Sequence, residues 1–374
     1  MQDLEIKKFL IIASPSIPDN PGLYRWINIL VNITNNLYVV TGNFNPEKVY
    51  SNVSINNFKI KQDNGSILIK IVNYLKFQIG SAYYVLKLKD IDVVIFHVGT
   101  TLLLPVLMAK LTRKKVVIAM SGSACNSIKI TYKNNPFLQK LICNLEKITL
   151  SLSYKILPYS KSTGLELGKK YASKICGYGA GFVDITGFRN QVLITERKDN
   201  IGFIGRLSSE KGIMDFVNAI HILSQERENL NFFIIGDGPL YEDVKIMLDS
   251  YNISERINLI KGISHDEINK YLNEFKLLVL PSYTEGLPQV ILESMACGTP
   301  VLATSVGNIP DVIKDNKNGF IIPKNSPDSI AKSIIKVLDY PDITTVSNNA
   351  RKTVENHFSL NSAVNRYKKV FEGI

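Results

Sequence analysis

The chain predicts an α/β protein built from two doubly wound, Rossmann-like domains, and three observations carry that expectation. Short apolar runs of strand length alternate with amphipathic stretches of helix length through both halves. The length, 374 residues, suits two domains of ordinary size, each able to bury a substantial core. Between Gly177 and Asp199 the pattern loosens into GYGAGFVDITGFRNQVLITERKD, rich in glycine and polar residues, which reads as the link between the two.

In the first half, strands are expected near residues 7–13, 37–41, 93–97, 116–119, 155–158 and 174–176. Helices fit near residues 23–32, 68–88, 101–111, 136–150 and 160–170, where apolar side chains recur at helical spacing. Residues 44–64 and 123–136 carry no legible motif and read as loops. The boundary falls near Thr195, giving domains over residues 1–194 and 195–357. In the second half the strands NIGFIG, NFFIIG, INLIKG and KLLVL each run into a loop and a helix start, and residues 327–338, 343–357 and 360–371 read as closing helices. Ligands of such sheets gather at the carboxyl ends of the strands.

Composition bounds the function. With 45% hydrophobic and 21% charged residues the chain is neither disordered nor fibrous. Its net charge of +11 is uneven: residues 1–198 hold 26 Lys plus Arg against 11 Asp plus Glu (+15), and residues 199–374 hold 18 against 22 (−4). A basic first half suits an anionic lipid surface or an acidic acceptor, with Lys110, Arg113, Lys114 and Lys115 as one dense cluster. No nucleic-acid partner is expected. Cys125, Cys143, Cys176 and Cys297 are far apart and form no C-x-x-C pair, so they read as buried, reduced thiols in a reducing, cytoplasmic compartment, and no metal is implied. The start, MQDLEIKKFLIIASPS, reads as a first strand rather than a leader, and no spanning segment is expected.

The chemistry centres on PSYTEGLPQVILESMACGTP, residues 281–300. A strand, a short loop and a helix opening at Pro288 make an anion site, because the amides around Gly286 and Leu287 converge with the positive helix end. Glu285 lies before that helix and Glu293 about 7–8 Å further along its axis, so the pair suits the hydroxyls at two ends of a long ligand rather than one metal. Glu293 sits among apolar neighbours and needs a partner, for which a ligand hydroxyl pair would serve. Upstream, NIGFIGRLSSEKG places Arg206 and Lys211 at the end of a strand, two fixed cations of the kind a departing diphosphate requires.

The spacing Glu285-x7-Glu293, within PSYTEGLPQVILESMACGTPVLATSVGNIPDVI, resembles the signature of the retaining GT-B glycosyltransferases of family 4, the glycosyl transferases group 1. The likeness runs from Pro281 to about Pro323 and extends to the G-R…K-G element at Arg206 and Lys211. It implies two Rossmann-like domains facing across a cleft: residues 1–194 binding acceptor, residues 195–357 binding nucleotide-sugar, and residues 358–374 forming a terminal helix that crosses back to the first domain. It also implies that Glu285 contacts the donor sugar and Glu293 the ribose. The G-x-G-P turn at Gly236 then borders the nucleotide, Gly262 and Ile263 flank the base, and Gly22, in a Pro-rich loop before a helix, approaches the diphosphate. His97 stands at the sugar or acceptor, as do Ser121 and Gly122, with Ser121 where the family has histidine. Asp90-Ile91-Asp92 has the metal-holding form of the other large glycosyltransferase fold but precedes its strand.

The function so implied is transfer of a sugar from a UDP- or GDP-sugar to a glycan, lipid-linked or polysaccharide acceptor, with retention and with no bound cofactor or metal, by a cytoplasmic protein peripheral on the inner membrane face. A nucleotide-sugar epimerase and a non-catalytic nucleotide-sugar-binding protein are the alternatives.

Overall fold

A computed structural model describes residues 7–14, 21–45, 50–60, 67–179 and 181–374. It divides into two compact units, one of Met1–Ala180 with Ala363–Ile374 and one of Gly181–Ser362.

The first unit runs β1 (Phe9–Ala13), α1 (Pro21–Leu30), β2 (Leu37–Gly42), β3 (Val53–Phe58), α2 (Ile67–Lys87), β4 (Val93–His97), α3 (Leu103–Leu111), β5 (Lys115–Met120), α4 (Ala124–Thr131), α5 (Pro136–Leu152), β6 (Lys155–Pro158) and α6 (Lys161–Glu166). Its six strands pair in parallel in the order β3-β2-β1-β4-β5-β6. FLIIA in β1 and VVIFH in β4 are buried along their whole length, as central strands covered on both faces must be. One face meets Phe77, Val106 and Leu150 from α2, α3 and α5. On the other face α14 (Leu360–Glu372), after its crossing from the second unit, sets Phe371 against Phe9 and Tyr367 against Trp26, ring centroids 4.8 and 4.9 Å apart. Tyr367 Oη also donates to Gly179 O at 2.6 Å.

The second unit runs β7 (Asn200–Ile204), α7 (Ile213–Glu226), β8 (Asn231–Ile235), α8 (Tyr241–Ser250), β9 (Ile257–Ile260), α9 (His265–Glu274), β10 (Leu277–Leu280), α10 (Gln289–Ala296), β11 (Val301–Thr304), α11 (Ile309–Val312), β12 (Phe320–Ile322), α12 (Pro327–Leu338) and α13 (Ile343–His357). Its parallel sheet repeats the order of the first, β12-β11-β10-β7-β8-β9. In both sheets the direction of winding reverses between the first and fourth strands, the crevice where such sheets take ligands.

Several expectations are corrected here. The second unit begins well before Thr195, because Val183 and Phe188 are buried in its core and Val183 N donates to Phe358 O at 2.8 Å. Residues 44–64 contain an edge strand, β3, whose VSINNF is half-exposed and therefore polar. Residues 123–136 contain α4, and residues 174–176 contribute only the isolated bridge Ile156 to Ile175. The cysteines are not all reduced thiols: Cys125, in the first turn of α4, forms a disulfide with Cys143 of α5, with Cα atoms 4.5 Å apart. The Glu146 carboxylate holds the two helices together by accepting from Ser123 Oγ and from the Ala124 and Cys125 amides at 2.7–3.0 Å. Cys176 and Cys297 are free, and burial pushes their thiols up to about 11 and about 12.

Candidate active site

In the second unit, β7 and β10 are hydrogen-bonded neighbours at the switch point, so the loops leaving their carboxyl ends emerge side by side. The β7 loop carries Arg206 and Lys211, the β10 loop Ser282 and Glu285. They meet at one carboxylate: Lys211 Nζ donates to Glu285 Oε1 at 2.6 Å and Ser282 Oγ to the same oxygen at 2.8 Å. The Glu285 side chain is 8% exposed and that of Lys211 25%, so water screens this pair only partly. Arg206 is exposed and makes no hydrogen bond or ion pair among the described residues. Its charge and that of Lys211 both reach Glu210, whose carboxyl is held low first by the Ser208 hydroxyl at 2.7 Å.

Two glycines make this convergence geometrically admissible. Gly212 ends the turn after Lys211 at φ 68°, and a Cβ there would lie 2.0 Å from Pro281 O. Gly307, at φ 57°, presses on the Glu285 peptide in the same way, its added Cβ falling 2.0 Å from Glu285 O. Asn308 N then donates to Gly286 O at 3.0 Å. Only a residue without a side chain permits such approaches, so the GN of VGNIP braces the loop that bears Glu285. That bracing leaves the other side of the peptide open: Gly286 has nothing within 4 Å of an added Cβ. The Gly286 and Leu287 amides donate to no protein acceptor among the described residues. They lie just before the positive end of α10, whose N-cap is Pro288.

Glu293 lies one helical stretch further on, in α10, and is 2% exposed. Its partner is a side chain, not only a prospective ligand: His265 Nε2 lies 2.9 Å from Glu293 Oε1. His265 occupies the first turn of α9, whose start is fixed by a capping box between Ser264 and Glu267, and its ring packs edge-on against Phe188 at 5.2 Å.

The neighbouring loops follow the same edge. Gly236 N donates to Ile260 O at 2.9 Å, Gly205 N to Ile235 O at 3.0 Å and Leu207 N to Asp237 O at 2.9 Å, so the turn after β8 is laid against the loop bearing Arg206. Gly262 is left-handed, φ 70°, with open space beside it, and Ile263 is half-buried against the core. In the first unit, Gly22 lies inside the first turn of α1 rather than in a loop before it, because the helix begins at Pro21; residues 15–20 of that loop lie outside the described residues. His97 closes β4 opposite Ala119 of β5, and Ser14 N donates to His97 O at 3.3 Å, so it too sits at a switch point. It is 2% exposed, its Nδ1 has no partner among the described residues, and burial, helped by Arg25, lowers its pKa to about 4. Val98 next to it adopts φ 54°, a strained conformation for a β-branched residue. Ser121 and Gly122 follow β5 and are exposed. Asp90 and Asp92 lie at the opposite, amino edge, where Asp92 Oδ2 accepts from Lys8 N at 2.8 Å.

Sequence reasoning overlooked Ser282, Gly307, His265 and Arg197. Arg197 is a buried tie: its guanidinium donates to Leu272 O, Phe275 O, Thr299 Oγ1 and Cys297 O, at 2.5–3.1 Å, joining the segment before β7 to the end of α10. The GNIP segment carried a usable signal for Gly307; a surface histidine at a helix start carries none.

Comparison with known proteins bears on the family and the fold. Residues 184–356 match the family model described as glycosyl transferases group 1. The chain is 27% identical over 257 residues to an uncharacterized glycosyltransferase of Methanocaldococcus jannaschii, covering 68% of each chain. It is 26% identical over 318 residues to an Escherichia coli UDP-Gal:alpha-D-GlcNAc-diphosphoundecaprenol alpha-1,3-galactosyltransferase, covering 78% of each. Among solved structures, Anabaena HepE in complex with UDP superposes with a TM-score of 0.74 at 15% identity, covering 98% of this chain and all of that one. The architecture is thus that of the GT-B glycosyltransferases, two α/β units with parallel six-stranded sheets.

Proposed function

We propose that this glycosyltransferase, whose second unit is a group 1 glycosyl transferase domain, moves a sugar from a nucleotide-diphosphate donor to a glycan or lipid-linked acceptor with retention of anomeric configuration. The observation that carries the reading is the meeting of Lys211 and Glu285, 2.6 Å apart, beside the open Gly286 and Leu287 amides. One point thereby offers an acceptor for sugar hydroxyls and donors for phosphate oxygens, the two ends of the bond that breaks.

In this reading Glu285 orients the sugar, and Lys211, Arg206 and the two amides take the charge that grows on the departing diphosphate. Glu293, steadied by His265, holds the ribose, while Gly236, Gly262 and Ile263 border the nucleotide. Gly22 approaches the diphosphate, and His97, Ser121 and Gly122 serve the sugar or acceptor. No second carboxylate is assigned as nucleophile, so attack comes on the face the leaving group departs, with a donor phosphate oxygen receiving the acceptor proton. The donor is a UDP- or GDP-sugar, used without a bound metal or cofactor. The UDP in the HepE structure and the UDP-Gal in the Escherichia coli relative's name favour the uridine donor. The enzyme works in the cytoplasm at an anionic membrane surface, which suits the diphosphoundecaprenol in that name.

Thermal-shift titration with a panel of nucleotide sugars tests the donor, and NMR of the product tests its configuration. Stabilisation by one UDP-sugar and an α-linked product from an α-linked donor are expected. An inverted product would overturn retention, and turnover of donor alone into its epimer would replace transfer.

A further inference from the structure

Helices α2, α3 and α5 lie side by side over one face of the first sheet. Each buries one stripe, through Phe77 and Val85, Val106 and Ala109, and Leu150. The outer stripe of such a helix is ordinarily polar. On α2 it is instead Ile71, Leu75, Ile79, Tyr83 and Leu86, spaced three and four apart along one arc, with Ile79 63% exposed. Leu107 and Leu111 on α3 and Phe137 and Leu141 on α5 extend it, Leu111 and Phe137 being 73% and 78% exposed. An apolar surface running across three neighbouring helices is more than the scattered exposure every protein shows.

The exposed charges on the three helices themselves have one sign. α2 contains no Asp or Glu, and its charged residues, Lys70, Lys76 and Lys87, are exposed. α3 adds Lys110, and α5 adds Lys140 and Lys147. The one acidic residue on these helices, Glu146, is 4% exposed and engaged by Ser123 and two amides. A second copy of the chain would set lysine against lysine across this face, and an acidic protein would match the lysines but leave the apolar arc without a counterpart. A bilayer containing anionic lipid supplies both, acyl chains for the arc and phosphates for ammonium groups whose stems lie along it.

We infer that the outer faces of α2, α3 and α5 form the surface by which the protein lies on an anionic bilayer, seated among the headgroups. No helix among the described residues is long and apolar enough to cross one. The inference gives the membrane location proposed above a named face. It rests on that reading only for what the docking is for, since binding needs neither donor nor acceptor.

The full chain is sedimented with vesicles of mixed phosphatidylglycerol and phosphatidylcholine, and with phosphatidylcholine alone. Binding to the mixed vesicles is expected, and salt weakens it. It falls by at least about tenfold in Leu75→Ser/Ile79→Ser/Leu86→Ser and in Lys76→Glu/Lys87→Glu. Equal binding to neutral vesicles, undiminished binding by either folded variant, or a lipid-free dimer abolished by the serine changes would overturn the inference. Should a variant fail to fold, hydrogen exchange on the wild type decides: amides of Ile67–Lys87 slow when mixed vesicles are added, and no change sinks the idea. Donor stabilisation persisting without vesicle binding would refute the docking face alone, whereas vesicle binding without donor stabilisation would leave the face and remove the transferase site.

Discussion

At the carboxyl edge of the second sheet, Glu285, Lys211 and Glu293 are each held by a named protein partner, and glycines bring the loops within backbone contact. The same edge of the first sheet has the same strand order but a different finish. There His97 is buried with a nitrogen that finds no partner among the described residues, Val98 is strained, and Ser121 and Gly122 are exposed. Among the described residues, two copies of one topology thus differ in how many of their edge side chains are tied to protein partners. In the proposed reading the second edge takes a diphosphate sugar, whose charges at fixed separations reward a preformed cradle, and the first takes an acceptor.

The sharpest way to break this contrast is to remove the cradle's charges. Lys211→Ala should lower kcat by about 100- to 1,000-fold while the circular-dichroism spectrum is retained. Ser121→Ala, in the open edge, should change kcat far less; an equal loss in both would erase the distinction. Next in size is the bracing itself. Gly307→Ala puts a Cβ into Glu285 O at a left-handed φ and should cost about 2–3 kcal/mol in chemical denaturation, against little for Gly122→Ala, where nothing stands within 4 Å.

The first unit offers a pH test. His97 is neutral when folded, with its pKa lowered from 6.5 to about 4, so between those values the unfolded chain binds more protons than the native one. Stability is therefore unaffected above pH 6.5 and falls as the pH drops toward 4, by about 2 kcal/mol at pH 5. His97→Gln should flatten this part of the urea-denaturation profile, and an unchanged slope would mean the ring is already charged or solvated. The smallest expected effect is at His265. Replacement by Ala leaves Glu293 without the imidazole and should raise the donor KM by about fivefold with kcat nearly kept, a loss of roughly 1 kcal/mol in ground-state binding.

Legibility followed the same divide. The buried strands FLIIA, VVIFH and LLVL are apolar because both their faces are covered, and their positions are plain from sequence. VSINNF in β3 is a half-exposed edge, and ACNSIKIT in α4 is held helical by Ser123, Glu146 and a disulfide rather than by propensity, so neither announced itself. Arg206, Lys211 and Glu285 sit in loops adjacent in sequence to recognisable strands, and Glu293 in the helix that follows the last of them, so sequence could nominate all four as candidates. His265 is 28 positions from Glu293 and on a different element, so only the folded chain brings them within 2.9 Å. The pairing of Cys125 with Cys143 likewise depends on α4 folding back along α5, which spacing alone does not encode.

The central claim is that the β7 loop and the β10 loop act on the donor as one unit. A double-mutant cycle of Lys211→Ala and Glu285→Gln, read as kcat/KM for the stabilising donor, tests it most directly. The two losses should be strongly non-additive, the double variant hardly worse than the poorer single one. Losses that simply add would mean the two residues act independently, and would contradict the account.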